Sequence, residues 1–317
     1  MSISENTNKR LNYTLWVEKY RPSTIDDVIL PKSYKNFFDK IISEKDLPNL
    51  LLYSSSPGNG KTSTAKALVS DLDMDYLYIN TSSESGIDTL RDKISKFAST
   101  MSFDGKKKAI ILDEFDGASN NLQQGLRAAI EEFHDTCRFI LTCNYVTKII
   151  EPLKSRCQML DFNFSDSKMS KTMMPKIGKR LLEILDNEKV DYDKSTMIKI
   201  VKTFYPDMRK MLGLLQQYSK QTGVINNEIF NYQKIDSELF ELILNKKMRK
   251  AREFVIEKNY NYSELYRALY DNVIPEMSQE SQGESYILIA EYMFRDSSVI
   301  DKEINFFACL IELARIL

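Results

Sequence analysis

The run Ser54-Ser55-Ser56-Pro57-Gly58-Asn59-Gly60-Lys61-Thr62 constrains this chain more than any other stretch. It follows Leu50-Leu51-Leu52-Tyr53, an apolar run that reads as a short buried strand. It precedes Ser63-Thr64-Ala65-Lys66-Ala67-Leu68-Val69, which reads as a helix. A strand, a glycine-rich turn and a Gly-Lys-Thr that opens a helix form the setting of a phosphate-binding loop. Successive backbone N–H groups must curl around phosphate oxygens, and glycine permits the dihedral angles this requires. The helix N-terminus adds partial positive charge. Lys61 has the reach for β- and γ-phosphates, and the Thr62 hydroxyl can ligate Mg²⁺. Ser56, Pro57, Gly58, Asn59, Gly60, Lys61, Thr62 and Ser63 are therefore the candidate phosphate cradle. The usual pattern, G-x-x-x-x-G-K-[ST], has glycine where this chain has Ser55, a residue that can donate a hydrogen bond. The plain alternative, a glycine-rich turn ending at a surface lysine, leaves the flanking strand and helix without a reason.

A second constraint is Asp113-Glu114, which follows the apolar run Ala109-Ile110-Ile111-Leu112. Ligands of doubly wound sheets bind at the C-terminal strand edge. One carboxylate there can hold Mg²⁺ through water, and the next can polarise an attacking water. Beside Lys61-Thr62 this pair points to nucleoside triphosphate hydrolysis; alone it is a charged strand end. Asn144 ends another apolar run, Phe139-Ile140-Leu141, and its amide can orient a water or sense a phosphate, although asparagine is common in loops. Arg156, in Pro152-Leu153-Lys154-Ser155-Arg156-Cys157, reads without context as a surface ion-pair residue. Arg209, in Pro206-Asp207-Met208-Arg209, reads as a surface charge at a helix start.

The order of elements extends the same argument. Ser33–Ser43 has helical spacing, with Tyr34, Phe37, Phe38, Ile41 and Ile42 on one face. Strands are expected at Leu50–Tyr53, Asp75–Asn80, Ala109–Leu112 and Cys137–Thr142, with Gln158–Phe162 a candidate fifth. Helices are expected at Ile87–Ala98 and Leu122–Phe133 between them. Continuous apolar strands alternating with helices predict a parallel sheet covered on both faces. From about Asp166 strand-like runs disappear. Lys168–Leu185, Ser195–Phe204 and Pro206–Ser219 read as helices, Asn226–Gln233 as a linker, and Ile235–Leu317 as several more helices. Residues 1–13 read as a mobile tail.

Composition excludes several classes. At 317 residues the chain can hold two or three domains. Charged residues are 28% and hydrophobic ones 43%, as in soluble globular proteins, and no apolar run approaches a membrane span. Met1–Arg10 is polar and shows no signal segment, so a cytoplasmic location is expected. Cys137, Cys143, Cys157 and Cys309 form no C-x-x-C pair, which speaks against a zinc module or a disulfide framework and for a reducing compartment. A net charge of −1 argues against a surface coated with nucleic acid, but leaves room for a local basic track. His134, the single histidine, sits in a charged helical end and reads as solvated. Lys106-Lys107-Lys108, the nearest basic run, reads as a solvated turn.

With these residues in place the chain resembles clamp-loader ATPase subunits of the AAA+ superfamily. It is similar to the small subunits of eukaryotic and archaeal replication factor C, and more so to the large clamp-loader subunit of T-even-type bacteriophages. The resemblance is carried by WVEKYRPSTIDDVI, SSSPGNGKTSTAKAL, INTSSESGIDTLRDKISKFA, IILDEFDGASNNLQQGLRAAIEE, LTCN, IIEPLKSRC and FYPDMRKMLGLLQ, which span residues 16 to about 217 in the family's order. The Ser-Arg-Cys triplet after a proline, at this distance from Asn144, is a highly specific part of it. The Ser-x-Pro-Gly loop and the chain length favour the phage branch. The C-terminal third matches in helical character alone.

The resemblance implies a fold and roles that spacing does not supply. It implies an α/β P-loop domain with a parallel five-stranded sheet over residues 1–165, a helical lid over 166–230 and an all-α collar over 231–317. Lys61 and Thr62 would hold the phosphates and Mg²⁺ of ATP, Asp113 would assist the metal, and Glu114 would activate water. Asn144 would be a first sensor and Arg209 a second, acting from the lid. Arg156 would be an arginine finger reaching ATP on a neighbouring subunit. Tyr20, Arg21 and Pro22 would line the adenine side. Gln123 would lie on the helix linking a DNA track to the carboxylates. Gly86, Arg91 and Ser119 would face a template backbone, with no basic residue at Ser85 or Gly86, where relatives usually carry one. The implied partners are further copies of the chain in a ring or spiral, a distinct clamp-loader small subunit, a sliding clamp and primer–template DNA, and no membrane. Two other readings remain: a scaffold subunit that binds nucleotide without hydrolysing it, and a translocating helicase or remodeller, for which Phe103-Asp104-Gly105 is the faint pore-loop candidate.

Overall fold

The computed structural model describes residues 15–83, 87–100, 102, 105, 107–164, 166–230, 237–258, 260, 262–296 and 298–316. The chain divides into two compact units that part between Asn226 and Asn227.

In the first unit α1 (Trp16–Lys19) and α2 (Lys32–Glu44) precede β1 (Leu50–Tyr53). There follow α3 (Lys61–Asp71), β2 (Tyr76–Asn80), α4 (Ile87–Ala98), β3 (Lys108–Asp113), α5 (Asn120–Glu132), β4 (Cys137–Cys143), α6 (Glu151–Lys154) and β5 (Gln158–Asp161). The strands form a five-stranded sheet in the order β2-β3-β4-β1-β5, and every pairing is parallel. Both faces of the central strands are covered, and the side-chain period of two explains why they are mostly apolar runs rather than alternating ones. Leu50, Leu52, Ile111 and Ile140 join the core on one face with Phe38, Ala65 and Leu68. Leu51, Ile110, Leu112, Phe139 and Leu141 join the core on the other face with Leu90, Leu126 and Ile130. The edge strands β2 and β5 are largely exposed, as one-sided partners allow.

The helical part of this unit is α7 (Ser167–Glu188), α8 (Lys194–Phe204) and α9 (Met208–Thr222). Strand structure does not end at Asp166 as expected: β6 (Asp191–Tyr192) pairs in parallel with β7 (Val224–Ile225). Two-residue pairings carry no periodicity that a sequence pattern can register. The N-terminal segment also packs on these helices. The Trp16 backbone N–H donates to Gln216 Oε1 at 2.9 Å, and Lys19 donates to Glu188 at 2.6 Å.

The second unit is helical: α10 (Ser237–Leu244), α11 (Met248–Lys258), α12 (Tyr262–Ala268), α13 (Gln279–Asp296) and α14 (Lys302–Ile316). Its own core gathers Leu239, Ile243, Tyr266, Ile289, Phe306 and Leu310. The buried amide of Asn305 donates to Tyr266 Oη at 2.8 Å and to the Tyr292 carbonyl at 3.1 Å. The expected tail, the residues Gly86 and Phe103-Asp104, and the linker from residue 231 lie outside the described residues.

Lys108 departs from its expected place in a solvated turn. It is the first residue of β3 and is buried, with its ammonium donating to Thr100 Oγ1 at 2.6 Å and lying 4.7 Å from the centre of the Phe97 ring. A cation at the C-terminal end of α4 meets the negative end of that helix.

Candidate active site

A cleft of about 230 Å³ opens at the C-terminal edge of the sheet beside β1, β3 and β4. Parallel strands deliver their ends there, and the switch in connection direction next to β1 leaves the crevice. Tyr20, Arg21, Pro22, Pro57, Gly58, Asn59, Gly60, Lys61, Thr62, Ser63, Asp113, Glu114, Asn144 and Arg209 all line it. Ser56 contributes its carbonyl just beneath, accepting from Lys61 at 3.3 Å.

The loop owes its shape to local forces. Gly58 and Gly60 have φ of +74° and +86°, the left-handed region that side chains disfavour. Ser55 shows why glycine is dispensable there: its backbone N–H and its hydroxyl both donate to Asn163 Oδ1, at 3.0 and 2.9 Å. Asn59 ties the loop to the end of β5, donating to the Phe162 carbonyl at 2.9 Å. Gly60 precedes α3 without any side-chain cap, so the first N–H groups of that helix face the cleft as anion donors. The Lys61 ammonium donates to Asn144 Oδ1 at 2.9 Å and to the Ser54 carbonyl at 3.4 Å. Burial lowers its pKa below the ordinary lysine value, while Asp113 opposes that shift. Neutral oxygens hold the cation, and a phosphate can replace them.

The carboxylates have different settings. Asp113 is buried; its Oδ1 accepts from Thr62 at 2.8 Å and from Thr142, and its Oδ2 accepts from Tyr78 at 2.8 Å. A threonine hydroxyl beside a carboxylate is an all-oxygen donor set, which fits Mg²⁺. Glu114 is exposed, with φ of +54°, a backbone region that costs a non-glycine residue about 1–2 kcal/mol. Its backbone is fixed on both sides: the N–H donates to Thr142 Oγ1 at 3.2 Å, and the carbonyl accepts from Thr81 Oγ1 at 2.7 Å. Its carboxylate makes no hydrogen bond among the described residues.

Across the cleft, Arg209 is exposed in the first turn of α9 and makes no ion pair among the described residues. It lies close enough to Lys61 to contribute to lowering that lysine's pKa. Tyr20 donates to Glu188 at 2.5 Å, and Arg21 pairs with Glu18. Val28, Ile29, Met173, Ile177 and Leu212 add an apolar wall suited to a planar base. Those five residues, together with Arg180, Thr142 and Tyr78, were not singled out from sequence. Val28, Ile29, Thr142 and Leu212 lie within the quoted motifs, but ordinary side chains of these types gave no sign of a role until the fold brought them together.

Other expected site residues lie away from the cleft. Arg156 pairs with Glu131, with Nε 2.8 Å from Oε1, and donates from Nη1 to the Pro152 carbonyl at 2.8 Å. In the single chain it is thus the ion-pair residue that a context-free reading expects. Arg91 is exposed and donates to the Asn121 carbonyl at 3.0 Å. Ser119 caps α5, accepting from the Leu122 N–H at 3.3 Å. Gly86 lies outside the described residues. Gln123 is buried, donates to the Ala118 and Lys148 carbonyls, and accepts from the Ile150 N–H, joining α5 to the segment after β4. His134 is exposed, and all four cysteines are buried and free. Burial pushes the Cys157 thiol up to about 12, so it is inert at neutral pH.

Residues 51–163 match the family described as "ATPase family associated with various cellular activities (AAA)". The sliding-clamp-loader large subunit of Escherichia phage RB69 is 36% identical over 81% of this chain and 83% of its own length. That of Enterobacteria phage T4 is 34% identical over 86% and 87%. The replication factor C small subunit of Sulfurisphaera tokodaii is 34% identical over 95% of each chain. Among solved structures, the Thermotoga maritima RuvB Holliday junction branch migration motor superposes with a TM-score of 0.54 at 14% identity, over 76% of this chain and 86% of that one, a likeness of fold alone. By its cleft, its sheet order and these relatives, the chain belongs to the AAA ATPases, in the group that unites phage sliding-clamp-loader large subunits with replication factor C small subunits.

Proposed function

We propose that this chain is the ATP-hydrolysing subunit of a sliding-clamp loader. The observation that carries the reading is the meeting of Lys61, Thr62, Asp113, Glu114 and Asn144 at one cleft, while Arg156 lies outside its lining. ATP sits with its phosphates on the loop and the N-terminus of α3. Thr62 and Asp113 would hold Mg²⁺, which when bound would neutralise charge on the phosphate oxygens. Lys61 exchanges its bond to Asn144 for phosphate oxygens. Glu114, whose carboxylate makes no hydrogen bond among the described residues, accepts the proton of the attacking water. Tyr20, Arg21 and Pro22 border the base.

Arg156 acts in trans. Copies of this chain assemble with a distinct small subunit, and each finger completes the site of its neighbour. Residues 1–165 serve as the nucleotide-binding domain, 166–230 as the lid bearing Arg209, and 231–317 as the collar. With ATP bound the assembly opens a clamp and grips primer–template DNA through the N-terminal ends of α4 and α5, at Gly86, Arg91 and Ser119. Hydrolysis then releases the clamp on DNA. In the phage reading this takes place in the host cytoplasm.

The test is ATP turnover of the assembled complex with and without clamp and primed DNA, which should stimulate it together. Glu114→Gln is expected to lower turnover by about 10²–10⁴ while nucleotide still binds. Arg156→Ala is expected to lower it by about 10³–10⁵ while the nucleotide affinity of the isolated chain stays unchanged. Unchanged turnover in Glu114→Gln favours the scaffold reading. An isolated monomer that hydrolyses ATP at the full rate, indifferent to Arg156→Ala, overturns the trans finger.

A further inference from the structure

Asp113 is held from behind by a residue that does not line the cleft. Tyr78 lies on the edge strand β2, opposite Ile111 in the register with β3. Two residues further along β3, on the same face, comes Asp113, so the tyrosine and the carboxylate are diagonal neighbours. The phenol donates to Oδ2 at 2.8 Å, and no other described residue is bonded to that oxygen. Oδ1 accepts from Thr62 and Thr142. The two oxygens are thus anchored from opposite sides, and turning the carboxylate breaks both sets of bonds. The ring itself is braced: Lys66, one helical turn beyond Thr62, places its ammonium 3.9 Å from the ring centre.

A hydroxyl that ligates a cation through its oxygen must still place its proton. Here the acceptor for Thr62 is Asp113 Oδ1. We propose that Tyr78 is a positioning residue for Mg²⁺: its hydroxyl fixes the plane of the Asp113 carboxylate and so sets how tightly the Thr62–Asp113 pair holds the ion. The inference rests on the nucleotide-hydrolysis reading and adds a group on the sheet edge to it. Partners that orient a ligating carboxylate usually change metal affinity by about 10–100-fold when removed.

The experiment uses the full chain and a fluorescent ATP analogue. Nucleotide affinity is measured while Mg²⁺ is titrated from chelator alone to saturation, for the wild type and for Tyr78→Phe. The phenylalanine keeps the ring, the strand and the contact with Lys66, and removes the hydroxyl alone. The expected result is equal affinity in chelator and a Mg²⁺ midpoint raised about tenfold or more. Equal midpoints overturn the inference and leave the nucleotide site standing. A loss of the same size with and without Mg²⁺ overturns it too, because it marks a packing role. A wild-type chain whose nucleotide affinity ignores Mg²⁺ overturns the nucleotide-site reading itself, and the inference with it.

Discussion

Lys61 illustrates how one side chain carries the logic of the site. The residue is 8% exposed and its ammonium sits among neutral oxygens, so burial lowers its pKa. A group with a depressed pKa loses its proton earlier as pH rises, and phosphate binding needs the charged form. ATP affinity should therefore fall with rising pH from below the usual lysine range of about 10.4. Lys61→Arg should remove that pH dependence, whatever it does to affinity, because a guanidinium stays charged. Isothermal titration across the alkaline range checks this; an affinity flat up to the ordinary lysine pKa contradicts it. Asp113 and Lys61 were readable as residues because their types and spacing are rare in combination. Tyr78 was not, since a tyrosine in an apolar strand is ordinary until the register of β2 against β3 brings it to Asp113.

Among elements, the phosphate loop and α9 meet at close range. A Cβ on Gly58 would lie 1.9 Å from Asp207 Oδ1 and 3.2 Å from the Asp207 Cα. Asp207 is itself committed, capping α9 by accepting from the Lys210 N–H at 2.9 Å. Gly58→Ala should therefore cost about 1–2 kcal/mol in backbone strain, before any steric cost. That corresponds to a melting point lower by roughly 2–8 °C, with weaker ATP binding. Adding Asp207→Gly should return part of the affinity, a non-additivity that a double-mutant cycle reads. Equal effects of Gly58→Ala in the two backgrounds would show that the loop and α9 are not coupled. From sequence, the loop and the helix were both visible. Their contact was not, because about 150 residues separate Gly58 from Asp207.

At the scale of the molecule, the unit ending at Asn226 holds the cleft, and the unit from Asn227 holds a separate helical core. Phe306, fully buried in that second core against Tyr266, is a sensitive probe of it. Phe306→Ala should cost about 3–5 kcal/mol. Differential scanning calorimetry is expected to show ATP raising one transition and Phe306→Ala lowering another. The nucleotide affinity of the variant should stay within about twofold of wild type, since the change lies in another cooperative unit. Loss of nucleotide binding in soluble Phe306→Ala would mean that the two units unfold as one.

The sequence alone determined the kind of sheet and located the phosphate loop and the Asp113-Glu114 pair, because each rests on local spacing or on continuous apolar runs, while the resemblance of its ordered motifs pointed to the family. It also located Arg156 in its triplet. What only the tertiary structure decided was which groups touch: Lys61 on Asn144, Ser55 on Asn163, Tyr78 behind Asp113, Lys108 buried against α4 and Arg156 held by Glu131. Such contacts depend on strand register and on loops closed over long separations. No local pattern of residues encodes them, and packing selects them once the whole chain has folded.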